Sequence, residues 1–124
     1  VAGWLNLQGI RLAEVRVVPD VIERIAEAVN ALREGNDYLF TTGGIGPTHD
    51  DITADAIAKA FGVGIDHHPE VVARFKERWG AQDLNEARLR MARVPEGAEQ
   101  AIPSAATSFA KCRVKPRMPA LAAV

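Results

Sequence analysis

The residues best suited to chemistry lie in one run, TTGGIGPTHDDIT, at residues 41–53. Its three glycines within four positions tolerate positive φ and let an anionic ligand approach the backbone without a Cβ in the way. The backbone amides of such a loop, with the positive end of a following helix, favour a phosphate group. We therefore expect a phosphorylated small molecule to bind on Thr42, Gly43, Gly44, Ile45, Gly46, Pro47 and Thr48.

Two adjacent carboxylates, Asp50 and Asp51, follow the glycines, and the run contains no lysine or arginine. Carboxylates repel a phosphate unless a divalent cation bridges them, and Mg²⁺ typically binds one or two carboxylates plus substrate phosphates. The pattern therefore predicts a site for Mg²⁺ or another divalent metal on Asp50 and Asp51. His49 is a further candidate metal ligand, although a solvated loop histidine explains it equally well. The run matches neither the Walker A motif nor the dinucleotide fingerprint.

The elements around this run predict a βαβ unit. Ile10–Val18 has β-branched residues and partial alternation, which indicates a strand. A helix with one apolar face is expected from Asp20 to about Glu34, and residues 37–42 predict a second strand. Such a unit has parallel strands, and ligands bind at their carboxyl ends. Asp20 is then expected at the same edge as the glycine-rich loop, as a third candidate acid.

Helix capping is the alternative role for these acids. Asp20 fits the N-cap of the first helix. Asp51 or Thr53 fits the N-cap of a helix expected over 52–61, with Gly62 as its end. From the spacing of the residues alone, both roles stay open for Asp20 and Asp51.

The second half of the chain contains weaker patterns. A helix is expected over Pro69–Trp79, and Asp83 with Glu86 forms a capping-box pattern ahead of another helix. Residues 95–97 predict a turn, and no buried strand is recognisable in residues 102–124. A basic cluster lies near the helix expected after Glu86 and consists of Arg88, Arg90 and Arg93. It fits a phosphate site, a subunit contact or, more simply, a solvated helix face.

Composition excludes several classes of protein. The chain has 124 residues, the size of one domain, and a net charge of −1, which argues against nucleic-acid binding. Its single cysteine, Cys112, excludes an internal disulfide framework. No apolar run approaches the length of about 18 residues that a membrane span needs, and no signal-peptide pattern is present. We therefore expect a cytoplasmic protein that does not bind membranes. The chain also opens as if inside a helix, which predicts a domain incomplete at its N-terminus.

The run at 41–53 resembles the signature of the molybdopterin-binding domain superfamily, and more closely that of the N-terminal domain of competence/damage-inducible protein A. The segments VRVVPD at 15–20 and LNEARLRMARVPEGAE at 84–99 are similar to that family in order and spacing. The resemblance implies a three-layer, doubly wound α/β domain with a mostly parallel sheet. It also implies that the family's first strand, which ends in a Gly-Asp-Glu motif, is missing.

The same resemblance implies a function and its residues. Members similar to competence/damage-inducible protein A (CinA) are associated with metal-dependent hydrolysis of nucleotide pyrophosphates such as ADP-ribose. Molybdenum-cofactor members adenylylate molybdopterin, and a non-catalytic molybdopterin-binding module is a further alternative. The family's two key acids fall on Asp20 and Asp51, and its members often form dimers or trimers. The sequence departs from the pattern at Ile45, where the molybdopterin enzymes usually have threonine, and in a late Gly-Val-Pro loop, whose nearest remnant is residues 117–119.

Overall fold

The computed structural model describes residues 2–101, 109–112 and 120–123. The helices in this part of the chain are α1 (Ala2–Leu7), α2 (Ile22–Gly35), α3 (Thr53–Phe61), α4 (Pro69–Trp79) and α5 (Glu86–Arg90), with a 3₁₀ turn at Ala81–Asp83. The strands are β1 (Tyr38–Thr41), β2 (Ile65–His67), β3 (Arg93–Pro95), β4 (Ala98–Ala101), β5 (Phe109–Cys112) and β6 (Ala120–Ala123). The predicted α/β class is confirmed. None of the helices described is long and apolar enough to cross a membrane.

The main sheet is mixed rather than mostly parallel. Its strand order is β1-β6-β5-β4, in which β1 and β6 are parallel and the other two pairs are antiparallel. Residues 102–108 join β4 to β5, and residues 113–119 join β5 to β6. These connections are too short for a parallel crossover, which takes about a dozen residues or more. Strands β2 and β3 form a separate antiparallel pair.

The strand predicted over Ile10–Val18 is wrong, because this segment has no regular structure. Its side chains face water almost throughout, and Val17 is 96% exposed. A strand needs a neighbour to pair its backbone groups, and β1 pairs instead with β6, from the far end of the chain. The predicted βαβ unit is therefore absent, and Asp20 does not follow a strand.

Two further expectations about the second half need correction. Strands β5 and β6 lie in a region where no buried strand was recognisable, and their backbone pairing places them in the main sheet. The N-cap of α5 is Asn85, whose Oδ1 accepts a hydrogen bond from the Arg88 N–H at 2.9 Å. Asp83 belongs to the preceding 3₁₀ turn instead. Local capping chemistry was thus anticipated, but two residues too early.

Other elements were predicted closely, because their signals are local. Strand β1 lies within the predicted range 37–42, and α4 has the predicted bounds. Helix α3 begins at Thr53, one residue after the predicted start, and is followed by Gly62 as predicted. Gly62 adopts the left-handed conformation with φ 64° and donates its N–H to carbonyls of the last turn.

The core packs α2 and α3 against one another and against β1. Each helix contributes one apolar face, and the small residues of α3 allow a close approach. The buried cluster consists of Ile25, Ala26, Val29, Leu39, Ala56, Ile57 and Ala60. This packing holds the start of α3 at a defined place beside the end of β1.

An ion pair attaches the antiparallel β2–β3 pair to the first turn of α3. The Arg93 guanidinium donates to both Asp55 oxygens, at 3.1 Å from Nη1 to Oδ1 and 2.8 Å from Nη2 to Oδ2. Both side chains are largely buried, with 20% and 27% of their surfaces exposed. Two parallel charge-assisted hydrogen bonds fix orientation as well as distance. The junction between α5 and β3 is therefore held against α3.

We predict that Asp55→Asn lowers the free energy of unfolding by about 1–2 kcal/mol, because a partly buried, charge-assisted hydrogen-bond pair is lost. Urea unfolding at neutral pH measures the change. The control is Glu27→Gln, which breaks the exposed Arg24–Glu27 pair on α2 and is expected to change stability by less than about 0.5 kcal/mol. Equal effects of the two substitutions would contradict a structural role for the Arg93–Asp55 pair.

Candidate functional site

The glycine-rich loop, residues 42–52, connects the carboxyl end of β1 to the start of α3. Because β1 pairs in parallel with β6, the loop lies at the carboxyl edge of a parallel pair, the edge at which α/β sheets bind ligands. Most of the residues expected to contact a ligand are exposed: Thr42, Gly43, Ile45, Pro47 and Thr48, with Gly44 and Gly46 partly covered. The loop is accordingly open to solvent along the predicted binding surface.

Thr53, the first residue of α3, fastens the beginning of the loop. Its hydroxyl donates to the Gly43 carbonyl at 2.9 Å, and its N–H donates to the Gly44 carbonyl at 3.1 Å. Thr53 is 6% exposed, so both bonds are shielded from water. Gly43 and Gly44 have φ of 85° and 63°, and a Cβ on Gly44 would collide with the Thr53 hydroxyl. Glycine is therefore required at position 44.

Asp51 fastens the other end of the loop. Its Oδ2 accepts from the Thr48 N–H at 2.9 Å and from the Thr48 hydroxyl at 2.6 Å. The Gly46 N–H also donates to this carboxylate, and a Cβ on Gly46 would lie 2.7 Å from Oδ2. The hydrogen bonds from Thr48 and Gly46, with a smaller contribution from the positive charge of Arg90, hold the pKa of Asp51 below its ordinary value. Asp51 is therefore ionised at neutral pH.

Neither candidate cap residue of α3 acts as a side-chain cap. The N-cap is Ile52, which has no side-chain cap bond, whereas Asp51 and Thr53 direct their side chains into the loop. Similarly, α2 is preceded by Val21 at its N-cap, and Asp20 makes no cap bond. Within the described residues, no hydrogen bond or ion pair joins Asp20 to the loop. The structure thus brings Asp50 and Asp51 to the glycines, and shows no bond that adds Asp20.

Asp50 and His49 extend from the loop into solvent. His49 Nε2 lies 3.0 Å from Asp50 Oδ1, and the two side chains are 89% and 78% exposed. The oxygens of Asp50 and Asp51 are the hard ligands that Mg²⁺ prefers. Among the residues that the structure covers, no group of three or more His, Cys, Asp or Glu side chains is placed to hold a metal ion. The carboxylates therefore fit Mg²⁺ only if water and ligand phosphate complete its coordination.

The three arginines near α5 do not share a solvated face. Residues two apart on a helix point in nearly opposite directions, so Arg88 and Arg90 diverge. Arg88 lies over the Trp79 ring, 5.1 Å from its centroid, and Arg93 pairs with Asp55. The positive charge of Arg90 makes the smallest contribution to the lowered pKa of Asp51, and the buried Nε atoms of Arg90 and Arg93 have no acceptor in the described part of the chain. The sequence placed these arginines in one cluster, and the structure gives Arg88 and Arg93 separate partners.

A cleft of about 370 Å³ lies away from the loop, between residues 16–19 and α2. Its lining consists of Arg16, Val18, Pro19, Arg24, Glu27, Ala28 and Ala31. Its two arginines are already paired, Arg16 with Glu14 and Arg24 with Glu27. No loop residue contributes to its lining. The cleft therefore does not take part in the site described above.

We predict that Thr48→Ala raises the pKa of Asp51 toward its ordinary value, because the hydroxyl that most strongly favours the carboxylate is removed. Carbon-detected NMR titration of the Asp51 carboxyl measures this change. In the unaltered chain, the stabilisation from Asp51 is present above the unfolded-state pKa of about 3.9 and is lost as pH falls through the lowered folded value. Thr48→Ser, which keeps a hydroxyl, serves as the control. An unchanged Asp51 pKa in the alanine variant would show that Thr48 does not hold this carboxylate.

Comparison with known proteins adds the family context. Residues 1–123 match the family described as probable molybdopterin binding domain. A protein of Aeropyrum pernix is 42% identical over 105 residues, 79% of this chain and 39% of that protein. A CinA-like protein of Desulfovibrio desulfuricans is 31% identical over 110 residues, 89% of this chain and 26% of that protein. The chain thus spans about a quarter to two fifths of the length of these two relatives.

The fold has a counterpart among solved structures. The crystal structure of CinA from Thermoplasma acidophilum, a protein described as having unknown function, matches with a TM-score of 0.82 and 27% identity. The match covers 98% of this chain and 73% of that one. With a family match along almost its whole length and an α/β structure shared with CinA, this chain belongs to the molybdopterin-binding domain family, as a domain of the CinA type.

Proposed function

We propose that this domain binds a phosphorylated pterin or nucleotide on the glycine-rich loop. One observation carries the proposal: within the described residues, the N–H groups of Gly43, Gly44 and Ile45 have no acceptor. Consecutive free amides at a turn with positive φ form a concave donor site for an anion. The start of α3 follows directly and adds the favourable end of a helix dipole.

The hydrogen bonds of the loop support this role, because they occupy the carbonyls of Gly43 and Gly44 and, among the described residues, leave the amides of residues 43–45 without an acceptor. Thr53 uses the carbonyls of Gly43 and Gly44, whose oxygens would otherwise repel a phosphate. Thr48 and Gly46 instead donate to Asp51. Gly43, Gly44 and Ile45 thus present three consecutive N–H groups that have no acceptor among the described residues. A preorganised loop also loses little conformational entropy when a ligand binds.

We further propose metal-dependent hydrolysis of a nucleotide pyrophosphate of the ADP-ribose type. Asp50 and Asp51 would hold Mg²⁺ or another divalent metal, which when bound neutralises and polarises the phosphoanhydride. Asp51 is ionised and oriented by Thr48, whereas Asp50 is free of bonds to the loop backbone. The role of Asp20 and assembly into a dimer or trimer stay predictions from the family resemblance.

A binding module without turnover is the second candidate. It is favoured by the bonding of Asp51, whose Oδ2 already accepts two hydrogen bonds from Thr48. A carboxylate used in this way supports the loop and has less capacity for a metal. The two candidates share the phosphate site on the loop and differ in what Asp50 and Asp51 do.

We predict that Gly44→Ala weakens ADP-ribose binding at least tenfold, because the added Cβ collides with Thr53 and moves the loop amides. Isothermal titration calorimetry with the 124-residue chain measures the affinity. The matched control is Gly62→Ala: Gly62 has nearly the same φ, 64° against 63°, but a Cβ there meets nothing within 4 Å. Each substitution is expected to lower stability by about 1 kcal/mol through the positive φ. If both variants bind ADP-ribose like the unaltered chain, the loop is not the binding site.

We predict that Asp50→Asn lowers Mg²⁺-dependent release of AMP from ADP-ribose at least tenfold, because one proposed metal ligand loses its charge. Asp50 is the sharper test than Asp51, since its replacement leaves the bonds between Asp51 and Thr48 in place. Asp66→Asn, an exposed acid on β2, is the charge-matched control. Binding of ADP-ribose without AMP release by the unaltered chain would favour the binding module over the hydrolase.

A further inference from the structure

Ile45 presents a large apolar side chain to solvent in the middle of the glycine-rich loop. Residues 42–52 contain two isoleucines, Ile45 and Ile52. Ile52 packs against the apolar core, whereas Ile45 is 44% exposed. The packing of the core therefore accounts for the isoleucine at position 52 and not for the one at position 45.

Both neighbours of Ile45 are held by hydrogen bonds. The Gly44 carbonyl accepts from the Thr53 N–H, and the Gly46 N–H donates to the Asp51 carboxylate. Because these neighbours are glycines without side chains, Ile45 supplies the side-chain surface at this point of the loop. A side chain on an anchored backbone loses little conformational entropy when a ligand packs against it.

The backbone of Ile45 belongs to the proposed phosphate site, because its N–H is one of the donors that have no acceptor among the described residues. A phosphate bound to that N–H brings the group it carries close to the side chain of the same residue. An apolar side chain packs favourably against the face of an aromatic ring, whereas burying sugar hydroxyls without hydrogen-bond partners costs free energy. Pro47, which is also exposed, adds a second apolar surface two residues further along the loop.

We propose that Ile45 is a specificity-determining residue, whose side chain packs against a flat heteroaromatic ring attached to the phosphate on the loop. This inference rests on the proposed function and adds a preference to it. The loop selects phosphates that carry an aromatic ring over those that carry only a sugar. A nucleotide base and a pterin share this chemistry, and both are ligands of the proposed class.

The test compares AMP with ribose 5-phosphate, which has the same sugar and phosphate but no ring, on the 124-residue chain. Calorimetry is expected to show that AMP binds about three- to tenfold more tightly, the effect of burying part of an isoleucine side chain. Ile45→Ala is expected to lose this preference, and Ile45→Val to keep most of it. The matched control is Leu7→Ala, which removes the same amount of hydrocarbon from a side chain of α1 that is 84% exposed, and which is expected to keep the preference.

Methyl NMR of the unaltered chain gives a second readout. The ring current of bound AMP is expected to shift the methyl signals of Ile45, together with the backbone amides of residues 43–45. Ribose 5-phosphate is expected to shift the amides without a ring-current shift of the methyl signals, because it has no aromatic ring.

The outcomes separate this inference from the proposed function. If the ligands shift the loop amides but no ring shifts the Ile45 methyl signals, or if Ile45→Ala keeps the preference for AMP, Ile45 is not a ring contact and the loop site stands. If AMP, ribose 5-phosphate and neopterin monophosphate all leave the loop amides unchanged, the loop site and the role of Ile45 both fail. Neopterin monophosphate also distinguishes the two sources of the ring: binding tighter than that of AMP, and lost in Ile45→Ala, assigns the contact to a pterin, and weaker binding assigns it to a nucleotide base.

Discussion

The two hydrogen bonds from Thr53 to the carbonyls of Gly43 and Gly44 are the constraint on which the site depends. Thr53 is buried at the start of α3, and α3 is packed against α2 and β1 by the apolar core. The core therefore determines where Thr53 lies, and Thr53 determines where the glycines lie. The carbonyls of Gly43 and Gly44 point inward to Thr53, and the amides of residues 43–45 have no acceptor among the described residues. The proposed anion site therefore rests on the geometry of the backbone and uses no basic residue of the loop.

Adjacent acids in one loop have separate roles. Asp51 is tied to Thr48 and Gly46, and these hydrogen bonds favour its ionised form. Asp50 contacts the exposed His49 and keeps its carboxylate in solvent. Asp51 shapes the loop, whereas the carboxylate of Asp50 is available to a cation. Because of this difference in bonding, a substitution of Asp50 tests the proposed metal site, whereas a substitution of Asp51 also disturbs the structure of the loop.

The site also depends on residues about forty positions away in sequence. The bidentate Arg93–Asp55 pair brings the end of α5 to the first turn of α3, and Arg90 comes with it. A partly buried ion pair contributes modestly to stability but fixes orientation closely. Its main effect here is to hold the segment after α5 against the first turn of α3. The helix that follows the loop is thus held by a contact between segments far apart in the chain.

The sequence by itself determined the features that depend on neighbouring residues. Glycine conformations predict the turns of the loop and the end of α3 at Gly62. A run of apolar residues predicts strand β1, and proline at a helix start predicts the beginning of α4. Only the tertiary structure decided the rest: the irregular course of Ile10–Val18, the strands β5 and β6, and the pairing of Arg93 with Asp55. A strand forms only where another strand pairs with it, and an arginine acquires a role only from what packs beside it. Both depend on contacts between distant segments, which local residue patterns do not encode.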